Sequence, residues 1–167
     1  TLAWLLNENE NPDSRFYQKV DTEHIGISGH SQGGVGVFNA INEQPHSSLY
    51  TCAVSLSPPQ QDLAEVLKIP YDPTKTQIPT MVLAGVEKDI ITPEGAQKLY
   101  DAMDDHKVLA LHTDVDHGKM LYSADGYVTA WFMWQLKGDA EAAKVFVGED
   151  AELLRNPLYQ DISRSFA

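Results

Sequence analysis

Four short apolar, β-rich runs recur along the chain, at about His24 to Ser28, Thr51 to Ser57, Thr80 to Val86 and Val108 to His112, with stretches of helical spacing between them. That alternation predicts a mostly parallel sheet flanked by helices, an α/β fold. Between the first two runs, Gln32 to Asn42 has helical character. After the third, Pro93 to Met103 sets proline in a first helical turn and Ala96, Leu99, Tyr100 and Met103 on one face. A longer helix is expected from about Ala124 to Lys137, where Val128, Trp131, Phe132, Trp134 and Leu136 recur at helical spacings before the stop at Gly138. Its tryptophans, like Met81, read as core, and Met120 as core or as the wall of a pocket near His117. The proline-rich segment Pro58 to Pro79 predicts a loop around one short helix near Asp62 to Lys68, an excursion of the kind that borders active sites. After Gly148 the pattern predicts one short helix followed by a surface strap. With no internal repeat or linker, residues 1–167 are expected to form one domain.

Composition changes this picture little. The 43% hydrophobic and 22% charged content is ordinary for a globular chain. The 24 acidic against 12 basic side chains give a net charge of -12, which repels phosphate backbones and anionic lipid and argues against a nucleic-acid partner. Cys52, the one cysteine, lies in an apolar run and reads as a small buried hydrophobe that forms no internal disulfide. No apolar run reaches the roughly 18 residues of a membrane span. The chain opens at Thr1 without a leader pattern, and the compartment stays unassigned.

The chemistry concentrates in Gly29-His30-Ser31-Gln32-Gly33-Gly34, which follows the first apolar run and leads into a helical stretch. This is the G-x-S-x-G pattern in its strand-turn-helix context. A serine on so tight a turn needs unusual backbone angles, and the flanking glycines are expected to remove Cβ atoms that would clash with the neighbouring strand and helix. The turn aims the Ser31 hydroxyl outward and puts the Gln32 N–H at a helix N-terminus, where it can stabilise an oxyanion. Serine is a weak nucleophile near neutral pH, so a histidine base and an orienting carboxylate must follow. Asp89, in the loop after the third run, is the expected acid, with Glu87 the competing carboxylate of the same loop. His117, in the loop after the fourth run, is the expected base. His24, His30, His46, His106 and His112 lack that context, and His30 is expected to pack in the elbow.

At these residues the sequence resembles the α/β-hydrolase family, especially the branch of dienelactone-hydrolase-like proteins, bacterial cutinase or polyester hydrolases, and platelet-activating-factor acetylhydrolases. The resemblance extends to Leu2 to Leu6 with the polar stretch up to Tyr17, the lead-in Val20 to Ser28, the acid-bearing run Ile78 to Gly85 and the helical Ala130 to Asp139. It implies the α/β-hydrolase fold and hydrolysis of carboxylic esters through an acyl-serine intermediate, without metal or organic cofactor. Ser31, Asp89 and His117 inherit the triad and Gln32 one oxyanion donor. Two departures point to small soluble esters rather than polymers. Polyester hydrolases usually carry a substrate-stacking tryptophan where this chain has Ser55-Leu-Ser-Pro-Pro-Gln60, and a lone Cys52 precludes their C-terminal disulfide.

The resemblance also implies further strands before the elbow strand and a second oxyanion donor from them. A segment of roughly 100 upstream residues is therefore expected to belong to the same protein, because without it the elbow strand becomes an uncovered sheet edge. Two other readings use the same residues. One is a non-catalytic binding protein or inactive fragment that keeps the fold; the other is an acyltransferase or peptidase with the same triad.

Overall fold

The computed structural model describes residues 2–166; Thr1 and Ala167, the ends of the expected domain, lie outside them. Five strands form one sheet in chain order: β1 (Ile25–His30), β2 (Tyr50–Leu56), β3 (Thr80–Gly85), β4 (Lys107–His112) and β5 (Tyr159–Ser165). The first four pair in parallel and match the four apolar runs to within two residues, while β5 runs antiparallel to β4. The helices are α1 (Leu2–Glu10), α2 (Gln32–Glu43), α3 (Gln61–Val66), α4 (Pro93–Ala102), α5 (Met120–Ser123), α6 (Asp125–Lys137), α7 (Ala140–Ala143) and α8 (Glu152–Arg155).

Strand alternation divides the core between the two faces of the sheet. On one face Val82, Ala84, Leu109 and Leu111 meet Val35 and Phe38 of α2 and Ala96 and Leu99 of α4. On the other, Val54, Leu56, Met81, Leu83 and Val108 meet Met120, Tyr127 and Trp131, with Phe146 and Leu153 closing the layer. A strand covered on both sides reads as an unbroken apolar run, and β3 is buried at every position. Trp131 is fully buried and stands edge-on to Trp134 and Phe146, so both tryptophans serve packing. Met120 is also fully buried in this layer and packs as core. Cys52 is fully buried, with burial pushing its thiol up to about 12.

The tail departs from the expected surface strap. After α8 it becomes β5, whose ladder with β4 supplies partners for backbone groups that β4 would otherwise leave open. Only Tyr159 of that strand is buried, so the segment carries no apolar run to announce it.

At the opposite end of the sheet, among the described residues, β1 pairs with β2 alone, and its outer edge is open. Helix α1 buries none of its residues, and a cleft of about 580 Å³ lies between it, β1 and α2, lined by Leu2, Ile27, Ala40 and Tyr50 among others. Among the described residues no helix is long and apolar enough to cross a membrane.

Candidate active site

Parallel strands deliver their C-terminal ends to one rim of the sheet, and the loops leaving that rim bring distant residues together. Here they gather the ends of β1, β2, β3 and β4. Ser31 joins β1 to α2 with φ 58° and ψ -123°, a conformation L-residues rarely adopt. The strain is held from both sides: the Ser31 N–H donates to the Leu56 carbonyl at 2.9 Å, and its own carbonyl accepts from Gly34 N–H at 2.9 Å as the helix begins. The tightness is set by Gly29, whose Cβ would stand 2.2 Å from the Gly33 carbonyl oxygen, and by Gly34, whose Cβ would press on Ser55 and Leu56 of β2. Gly33 differs from expectation, since a Cβ there would meet nothing within 4 Å. The close approach is made by the glycines on either side of it. Gln32 opens α2, so its backbone N–H has no partner within the helix and points from the N-terminal end.

The hydroxyl of Ser31 lies 2.9 Å from His117 Nε2, and His117 Nδ1 lies 2.9 Å from Asp89 Oδ1. An ionised carboxylate accepts only, which puts the imidazole proton on Nδ1 and leaves Nε2 free to accept from the serine. The three residues expected as nucleophile, base and acid are thus joined in one chain of hydrogen bonds. The competing Glu87 is exposed, and its backbone N–H donates to the Val115 carbonyl at 3.2 Å, tying the acid loop to the base loop.

Burial separates the roles of the pair, with the Asp89 side chain 0% exposed and that of His117 25% exposed. Asp89 sits in a cradle of donors. Its Oδ1 accepts from Ile90 N–H at 2.7 Å as well as from His117, and its Oδ2 accepts from Gly85 N–H at 2.7 Å and from the Ser57 hydroxyl at 2.5 Å. Neither Ser57 nor Gly85 is singled out by the sequence pattern. Gly85 admits the Val115 carbonyl so closely that a Cβ would stand 2.1 Å from that oxygen. A glycine closing the third strand is the one signal that could have pointed there.

His117 is held by its own loop and by the elbow. Asp116 Oδ1 accepts from Lys119 N–H at 2.9 Å, a bond that holds the Asp116 carboxyl below its ordinary range. His30 packs in the elbow as expected and does more: its Nε2–H donates to the His117 carbonyl at 2.7 Å, and the two rings lie 4.6 Å apart. His24, by contrast, pairs with Asp21 on the surface. His112 is buried at the end of β4 against Tyr159, with its Nδ1 unpartnered.

A mostly parallel sheet with helices on both faces and a serine on the turn after a strand defines an α/β-hydrolase-type serine hydrolase. The chain belongs to the PET hydrolase-like (PETase) family, which matches residues 1–153. No curated protein matches it by sequence. Its fold is similar to that of the uncomplexed acylaminoacyl peptidase of Pyrococcus horikoshii, at 16% identity and TM-score 0.61 over 74% of this chain and 26% of that one. It is likewise similar to an acylaminoacyl peptidase in complex with Z-Gly-Gly-Phe-chloromethyl ketone, at 16% identity and TM-score 0.65 over 90% of this chain and 28% of that one. The orthorhombic crystal form of the Pyrococcus enzyme gives 15% identity and TM-score 0.62 over 80% and 28%. The chain therefore spans about a quarter of the length of the peptidases whose fold it shares.

Proposed function

We propose that the chain is a serine esterase that cleaves carboxylic esters of small soluble substrates, with Ser31 as nucleophile, His117 as base and Asp89 as acid. The observation that carries this reading is the unbroken run from Ser31 Oγ through the His117 imidazole to Asp89, 2.9 Å at each link. Nε2 takes the hydroxyl proton as Oγ attacks the ester carbonyl, and buried Asp89 stabilises the imidazolium that forms. The Gln32 N–H donates to the tetrahedral oxyanion. Collapse expels the alcohol, which leaves with the proton from Nε2, and water activated by the same imidazole releases the acid from Ser31. The chemistry asks for no metal or organic cofactor. The open edge of β1 is where this reading puts further strands of the same protein, carrying the second oxyanion donor.

Small esters are favoured over polymers by the segment after β2, where Pro58, Pro59 and Gln60 stand in place of a stacking tryptophan. A second reading, peptide cleavage by the same triad, is favoured by the acylaminoacyl peptidases that share the fold. The test is intact-mass spectrometry with a fluorophosphonate, followed by turnover of p-nitrophenyl butyrate against an acyl-aminoacyl p-nitroanilide. The esterase reading expects one adduct, lost in Ser31→Ala with little change in melting temperature, and ester turnover well above anilide turnover. Turnover surviving Ser31→Ala would refute it, and the reverse preference would make the protein a peptidase. A chain that neither labels nor turns over would be a binding protein or an inactive fragment.

A further inference from the structure

The three neighbouring strand ends of β1, β2 and β3 carry Ser31, Ser57 and Gly85, and the middle one has a conformation its side chain does not explain. Ser57 is fully buried with φ 42°, in the left-handed region that glycine enters without strain and serine does not. Its backbone N–H already has a partner, the Leu83 carbonyl at 2.8 Å, which extends the β2–β3 ladder by one step. The serine hydroxyl donates a hydrogen bond to Asp89 Oδ2 at 2.5 Å.

We infer that Ser57 is a positioning residue for the triad: its hydroxyl, with the Gly85 N–H, pins Asp89 Oδ2 so that Oδ1 stays on His117 Nδ1. This rests on the triad reading above and adds a fourth side chain to it. A carboxylate turns about its Cβ–Cγ bond unless both oxygens are held. Here Oδ2 is anchored from β2 by Ser57 and from β3 by Gly85, while Oδ1 is anchored by Ile90 N–H and delivered to the imidazole. Without the hydroxyl, Oδ2 keeps one donor, the Gly85 N–H, and the hold on the plane of the carboxylate against Nδ1 is loosened. Ser57 does not touch the reacting atoms; it acts through Asp89, on the step in which the imidazole becomes charged. Its removal is therefore expected in kcat and not in KM.

The sign of the stability change separates this role from a merely structural one. Ser57→Gly removes the hydroxyl and relieves the left-handed backbone; Ser57→Ala removes the hydroxyl and keeps the strain. Both, with Ser31→Ala, are made in the full chain and compared by thermal melting, by p-nitrophenyl butyrate kinetics and by the rate of fluorophosphonate labelling. Ser57→Gly is expected to melt at or above the native temperature while kcat and the labelling rate fall about tenfold and KM stays within about twofold. Ser57→Ala is expected to lose the same activity at a lower melting temperature. Native kcat and labelling in Ser57→Gly would overturn the inference, as would an activity loss that follows the melting temperature across the two variants. If Ser31→Ala still turns over or labels, the triad reading itself fails; if Ser31→Ala is dead and Ser57→Gly is unimpaired, only the role of Ser57 falls.

Discussion

Asp89→Asn is the sharpest perturbation the site allows, because it changes one atom inside a cradle built entirely of donors. The four groups around the carboxylate are Ser57 O–H and Gly85 N–H on Oδ2, and Ile90 N–H and His117 Nδ1–H on Oδ1, all between 2.5 and 2.9 Å. An amide replaces one acceptor by a donor, and neither orientation suits it. With the amide nitrogen at the Oδ2 position it faces the Gly85 N–H, since only the Ser57 hydroxyl can turn to accept. With the nitrogen at the Oδ1 position it faces the Ile90 N–H, and the imidazole must accept at Nδ1, which moves its proton to Nε2 and ends its ability to take one from Ser31. In a fully buried side chain a donor left without an acceptor costs about 1–3 kcal/mol, or a fall in melting temperature of roughly 5 °C for a chain of this size. The second orientation keeps the triad in the wrong tautomer, which in serine hydrolases lowers turnover by roughly ten-thousandfold. The expected result for Asp89→Asn is thus a joint loss: a lower melting temperature by calorimetry and ester turnover down by at least about a thousandfold. Glu87→Gln, on the exposed neighbour, is expected to leave both unchanged. Near-native turnover in Asp89→Asn, or a large loss in Glu87→Gln, would refute the assignment of the acid and the account of its cradle.

Two further outcomes follow from buried positions. Gly85→Ala places a Cβ 2.1 Å from the Val115 carbonyl oxygen, a backbone atom that cannot swing aside, and is expected to destabilise by about 2–3 kcal/mol and to shift Asp89; an unchanged melting temperature and unchanged turnover would show the approach to be looser than drawn. Burial holds the His112 imidazole below its ordinary 6.5, against a smaller upward pull from Asp114. The unfolded chain then binds the extra proton first, so this contribution to stability is fully present above about pH 6.5 and is lost as pH falls toward the folded value. His112→Phe removes both the titration and the unpartnered Nδ1 and should flatten the melting temperature between about pH 7 and pH 5, whereas parallel native and variant curves would acquit His112.

The strands were legible because three of them are covered on both faces and spell continuous apolar runs, and the elbow because a serine on so tight a turn needs Gly29 and Gly34 beside it. Helix α4 announced itself through Pro93 and one apolar face. The tail did not, since β5 exists by completing the ladder of β4 and needs almost no apolar side chains to do so. Loop position made Asp89 the expected acid over Glu87, but the physical difference between the two was not legible in the sequence. Two carboxylates two residues apart look alike until one is enclosed by donors from β2 and β3 and the other is turned to solvent. Ser57 was invisible because nothing in Leu56-Ser-Pro58 signals a positive φ. Sequence assigned the elbow glycines one shared duty, while contact distances divide it between Gly29 and Gly34.

The sealed thiol of Cys52 makes the protein a clean chassis for labels. It is the one cysteine in the sequence, it lies in the middle of β2 with no exposed surface, and its thiolate is suppressed far above neutral pH. Within residues 1–167 a maleimide dye therefore has no accessible target, and the unmodified chain is its own blank. Cysteine introduced at Val66 or at Tyr122, which are 77% and 76% exposed on the short helices that follow β2 and the His117 loop, would be the only reactive thiol within residues 1–167. A fluorophore at either position would report on the helix after β2 or on the helix after the His117 loop without replacing any group that holds Ser31.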